Sequence, residues 1–115
     1  MGSKTYVGYP SSPRVPGDVA VFVATEDGPE YLLPHIVKHS PTGFEWGYAG
    51  SGPADLAYAI LVDYLDDAAK VEDLYQNFKR AFIERLSRDH SWIIEAGTVG
   101  RWIERHTPTR QESSS

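Results

Sequence analysis

Cysteine is absent from the 115-residue chain, which excludes disulfides, thiolate metal sites and cysteine nucleophiles. That absence fits a reducing compartment, and cytoplasmic localisation is the expectation. No apolar run approaches the roughly 20 residues that cross a bilayer as a helix. The opening Met1-Gly2-Ser3-Lys4 lacks the apolar stretch of a signal peptide. An excess of positive charge is missing too. The net charge is −5, whereas general nucleic-acid binders are usually basic, because phosphate neutralisation supplies most of their affinity. Non-specific nucleic-acid binding and membrane insertion are therefore not expected. Internal repeats, heptad seams and low-complexity blocks are also lacking.

What is present is an ordinary globular balance, 41% apolar and 23% charged, in a chain long enough to bury a core without staples. One domain over residues 1–106 is expected, with the polar residues 107–115 as a frayed, disordered tail. The fold class reads as α+β: a small antiparallel sheet packed against two antiparallel helices plus a short C-terminal helix. Residues 4–9 suit a short strand, and the β-branched run Val19–Thr25 is the strongest strand in the chain. Glu26-Asp27-Gly28-Pro29 reads as a turn, and Tyr31–Leu33 as the returning partner strand. A helix is expected from Pro53, with Asp55 in its first turn complementing the positive helix end. Leu56, Ala57, Ile60, Leu61, Tyr64 and Leu65 recur at helical spacing as one buried stripe. Asp66 or Asp67 then ends that helix and caps a second, over about 68–88. Residues 91–94 resemble a short strand or extended anchor, and Thr98 can cap a last helix burying Val99, Trp102 and Ile103.

The segment with the most individual character runs from His39 to Leu61. It reads His39-Ser-Pro-Thr-Gly-Phe-Glu-Trp-Gly-Tyr48, followed by Ala-Gly-Ser-Gly-Pro-Ala-Asp-Leu-Ala-Tyr-Ala-Ile-Leu61. It resembles the signature of a family of small bacterial and phage proteins catalogued as domain of unknown function 6166. The aromatic helix around Leu74-Tyr75-Gln76-Asn77-Phe78-Lys79 and the tryptophan-bearing strand and helix near the end are similar too. The resemblance covers most of residues 4–106 and is strongest over 39–61. It implies a common fold and brings no activity with it.

Read physically, Gly50-Ser51-Gly52 leads straight into a helix N-terminus, where unpaired N–H groups and the helix dipole favour an anion. Ser51 adds a hydroxyl. Trp46 and Tyr48 are candidates for stacking on a base or sugar, and His39, Ser40, Thr42 and Glu45 for polar contacts. Together they suit a small phosphorylated molecule such as a nucleotide. The competing structural reading is that the same glycines simply start a helix while Phe44, Trp46 and Tyr48 alternate onto the core. No lysine follows the glycines as in a P-loop, and no strand leads into a dinucleotide fingerprint.

Catalytic and metal patterns are thin. His35 and His39 lie four apart, but Pro34 and Pro41 flank them too closely for a stable helix, so hydrogen-bonded or solvent-facing histidines are expected and no metal. Ser51 lies outside any G-x-S-x-G elbow. Glu45 would have to be buried beside Trp46 to serve as a general acid. No catalytic residue and no cofactor is assigned. The function expected is a non-catalytic binding module for a phosphate-bearing small molecule at the start of the first long helix. The alternative is an acidic protein-interaction or inhibitor module, phage-related by the resemblance, using Asp63, Asp66, Asp67, Glu72 and Asp73 to dock on a protein partner. The direction of the Trp46 and Tyr48 rings discriminates: an open cleft beside Ser51 favours the ligand, burial opposes it.

Overall fold

The computed structural model describes residues 3–10, 19–36, 38 and 44–106. Three strands come from the first third of the chain: β1 (Lys4–Tyr9), β2 (Ala20–Thr25) and β3 (Tyr31–Leu32). The fourth, β4 (Trp92–Glu95), returns after two helices. The sheet is antiparallel throughout, in the order β3-β2-β1-β4. Tyr6 sits mid-sheet, opposite Val23 on one side and Ile94 on the other. Alternation puts Tyr6, Val21, Val23, Trp92 and Ile94 into the core. Gly8 lies between Val21 and Trp92, and a Cβ there would stand 2.2 Å from the Trp92 indole. The strand is bare at that point because a tryptophan covers it.

The helices are α1 (Ser51–Leu65), α2 (Ala68–Phe78) and α3 (Ala96–His106). α1 and α2 form the expected hairpin, and the aspartates divide the turn as the sequence suggests. Asp66 takes the left-handed conformation at φ 56° and closes α1 through its N–H to Val62 O at 3.2 Å. Asp67 is the N-cap of α2, its carboxylate accepting from Lys70 N–H at 3.3 Å. Two opposite effects on thermal unfolding follow. Asp67→Ala should cost about 1 kcal/mol through the lost cap. Asp66→Gly should stabilise by a few tenths to about 1 kcal/mol, because glycine adopts positive φ without Cβ strain.

Four expectations need correction. α1 starts at Ser51, two residues before Pro53. Its buried set is no single stripe: everything from Gly52 to Leu61 except Tyr58 is buried, while Tyr64 is exposed. Between Gly52 and Leu61, α1 is buried on nearly every face, so the amphipathic pattern fades there. α2 stops at Phe78 rather than continuing to 88. A π-helical turn follows over Lys79–Ile83, closed by Glu84 N–H to Lys79 O at 2.9 Å. The chain leaves the helix because the loop ahead of α1 takes its carbonyls: Gly47 N–H bonds Ile83 O at 3.0 Å, and Trp46 Nε1–H bonds Ser87 O at 3.1 Å. α3 follows β4 without a gap, so Thr98 lies inside the helix and accepts from Arg101 instead of capping. Val99, Trp102 and Ile103 are buried as expected.

Candidate functional site

The loop over residues 44–50 is built on its aromatics. Phe44 and Trp46 are buried, Trp46 at 3% exposure with its ring edge-on to Trp92 at 5.4 Å. Gly47 makes the turn at φ +87°, a conformation that side chains resist. Any Cβ there would also stand 2.8 Å from the Leu86 carbonyl oxygen. Tyr48 is half-buried. Its hydroxyl donates to Glu45 Oε1, and the Arg88 guanidinium lies 4.9 Å over its ring.

The chain then enters α1 with glycine as N-cap and no side-chain cap. Ala54 N–H bonds Gly50 O at 3.1 Å. Pro53 has no N–H, so the orphaned donors of the first turn reduce to those of Ser51 and Gly52. Gly52 is buried beneath Glu45, where a Cβ would come within 2.8 Å of Glu45 Cβ, whereas Ser51 is exposed. In front of Ser51 is an open depression of about 250 Å³ lined by Gly50, Ser51, Ala54, Gln76 and Lys79. Lys79 Nζ lies 3.5 Å from the Glu84 carboxylate, both side chains being largely buried.

The structure thus brings Glu45, Trp46, Tyr48, Gly50, Ser51 and Gly52 into one neighbourhood without giving them one role. Trp46 is a core residue and offers no stacking face. It lines a small cleft of about 100 Å³ together with Val19, Glu45 and Arg88. Tyr48 has one face under Arg88. Glu45 is exposed, so the burial that a general-acid role requires is missing. His39, Ser40 and Thr42 lie outside the described residues. Gln76 and Lys79 were not anticipated as lining residues. The signal was available, since a helix hairpin folded about Asp66–Asp67 sets position 79 opposite 54.

Asp55 does not serve the helix end either, because the early start of α1 moves it beyond the first turn. It is fully buried, and its Oδ2 accepts from His35 Nε2 at 2.9 Å and from Lys38 N–H at 3.3 Å. His35 is therefore the hydrogen-bonded histidine the sequence suggested, holding the segment after β3 against α1. Among the described residues no three His, Asp or Glu side chains are grouped to hold a metal ion.

A family model matches residues 11–105 of the chain. The chain belongs to the family of unknown function DUF6166. The DUF6166 match begins after β1, although that strand occupies the middle of the sheet between β2 and β4. No curated protein and no solved structure matches the chain. Among the described residues no helix is long and apolar enough to cross a membrane.

The acidic residues separate into two sets. Asp63 is drawn inward, accepting from Lys4 Nζ at 2.9 Å, Tyr6 OH at 2.8 Å and Tyr31 OH at 2.7 Å. Burial pushes its carboxyl up, but the three hydrogen bonds outweigh it and hold Asp63 below the usual range. Glu72 pairs with Lys38 at 2.9 Å. Glu26, Asp27, Asp66 and Asp67 remain exposed at the surface.

Proposed function

We propose that this DUF6166 domain is a non-catalytic binding module that holds the phosphate of a small molecule at the start of α1. The observation that carries the reading is the open depression between an uncapped helix N-terminus and the Lys79 side chain. An oxyanion placed there meets the Ser51 N–H and hydroxyl, the positive end of the α1 dipole and, opposite, the Lys79 ammonium. Gln76 can donate from the same wall. Glu45 on the far side of Gly52 limits how much negative charge the site tolerates, which favours a monoanionic or diester phosphate over a polyphosphate. A nucleotide belongs to this class, provided its base is held by something other than the buried Trp46.

The test is thermal unfolding with inorganic phosphate, a cyclic and a linear mononucleotide, and a sugar phosphate, each at 10 mM. A dissociation constant on the order of 1 mM gives about 1.4 kcal/mol of stabilisation at that concentration. Ser51→Asp should itself raise the melting temperature, since a carboxylate at the first helical position complements the dipole by about 0.3–1 kcal/mol. The same change should abolish the response to phosphate. Lys79→Gln should weaken the response without that gain. Unshifted melting with all four compounds, in a protein that melts cooperatively, would remove the proposal.

A further inference from the structure

At the opposite end of α1, a second recess lies between that helix and the segment following β3. It holds about 170 Å³ and is lined by Pro34, Ile36, Ala59, Val62 and Asp63. Among the described lining residues, all but Asp63, whose carboxylate is taken up by Lys4, Tyr6 and Tyr31, are apolar. An apolar cavity of about 150 Å³ accommodates benzene, so the recess has room for one leucine-sized or phenyl side chain. Its rim is apolar as well: Ile36 is 41% and Tyr31 37% exposed. Beside it runs β3, an edge strand paired only with β2. Its free edge is short, and Pro29 and Pro34 bracket it. A partner could gain a few main-chain hydrogen bonds there but could not extend a sheet.

The charge around the recess has one dominant sign. Lys4 pairs with Thr25 in the β1–β2 register and reaches Asp63 with its ammonium, which brings the Glu26–Asp27 turn to the C-terminal end of α1. Asp66 and Asp67 follow within one turn of Asp63. The last turn of α1 contains no basic residue, so the negative end of its dipole is uncompensated. Among the described residues, Lys4 is committed to Asp63 and Lys38, two residues beyond Ile36, to Glu72, while Lys70 lies in the first turn of α2.

We propose that this groove receives an extended, basic peptide segment that inserts one aliphatic or aromatic side chain between Ile36 and Val62, its flanking Lys or Arg residues facing Glu26, Asp27 and Asp66. The anchor supplies affinity by leaving water, and the surrounding carboxylates select for cationic flanks and speed encounter. The site is distinct from the start of α1 and stands whether or not phosphate binds there.

The experiment follows backbone amide shifts of the ¹⁵N-labelled full chain at low salt against three peptides with blocked ends: Lys-Arg-Leu-Arg-Lys, Lys-Arg-Ser-Arg-Lys and Glu-Glu-Leu-Glu-Glu. The first should shift Ile36, Ala59, Val62 and Asp63. The serine peptide should bind roughly ten-fold more weakly or less, as expected for a lost buried side chain. The acidic peptide should not bind. Neutralising the rim with Glu26→Gln, Asp27→Asn and Asp66→Asn should weaken the leucine peptide severalfold and flatten its salt dependence; asparagine keeps the left-handed position at 66 accessible. Ile36→Lys, at an exposed position, should abolish binding with the rest of the spectrum unchanged. Equal affinity for the leucine and serine peptides, shifts mapping elsewhere, or no binding at millimolar peptide would each overturn the proposal. So would concentration-dependent shifts at these amides without peptide, which would give the groove to a second copy of the chain.

Discussion

Trp46→Ala should destabilise the domain by about 3–5 kcal/mol, the range for emptying a large aromatic site in a core, and lower the melting temperature by at least roughly 10 °C. The indole does two things at once. It fills the space beneath the loop, edge-on to Trp92, and its N–H ties that loop to Ser87 O beyond the π-helical turn. Removing it leaves a void that Trp92 cannot close, because Trp92 is itself held over Gly8. Trp46→Phe keeps much of the volume but loses the hydrogen bond, and should cost about half as much. Tyr48→Phe gives the contrast. Its ring remains under Arg88, only the hydroxyl contact to the exposed Glu45 disappears, and the loss should stay within about 1 kcal/mol. A small effect for Trp46→Ala, measured by urea unfolding with unchanged m-value, would mean that the ring is not part of the core and would reopen a stacking role.

That contrast also explains which parts of the site were legible in the sequence. The β-branched run of β2, the Asp66–Asp67 punctuation and the apolar positions of α3 each express a local rule, and each folds accordingly. The glycine-rich segment obeys a local rule as well, yet one sequence supports two outcomes. A Gly-Phe-Glu-Trp-Gly-Tyr stretch alternates equally well with its rings inward or outward. What turns Trp46 inward lies over 30 residues away in the chain: Ile83 O, at the end of the π-helical turn, accepts from Gly47 N–H, and Ser87 O beyond it accepts from Trp46 Nε1–H. Nothing in the Lys79–Ile83 sequence itself breaks a helix, so that turn could not be read from propensity. Lys79 escapes a local reading of the sequence for a related reason. In sequence it looks like one cation among several on a helix face, and its neighbourhood with Ser51 is created by the hairpin. Asp55 lies away from the helix end because Ser51 and Gly52 extend the helix backwards past Pro53, which puts the aspartate into a buried partnership with His35.

The acid and alkaline limits of stability should both trace to the cluster around Asp63. At pH 7, Asp63→Ala should cost roughly 2–4 kcal/mol, since it removes a charged acceptor from three donors and leaves the deeply buried Tyr6 hydroxyl without its bond. The carboxyl titrates below its ordinary 3.8 in the folded chain. Its contribution is therefore present above pH 3.8 and is lost as pH falls through the lower folded value. The stability difference between the native chain and Asp63→Asn should accordingly shrink between about pH 4 and pH 2 and be nearly constant from pH 5 to 8. The tyrosines act with the opposite sign. Burial first, and then the charge of Asp63, pushes Tyr6 far above its usual 10.0; Tyr31 is also raised, again chiefly by burial. Both phenols favour the folded state in their neutral form, so stability should fall as pH rises above 10, where the unfolded chain begins to ionise. Tyr6→Phe should lower stability at neutral pH and flatten that alkaline decline. An alkaline slope unchanged in Tyr6→Phe, or an acid slope unchanged in Asp63→Asn, would place the titrating groups elsewhere and dissolve the link between β1, β3 and the end of α1.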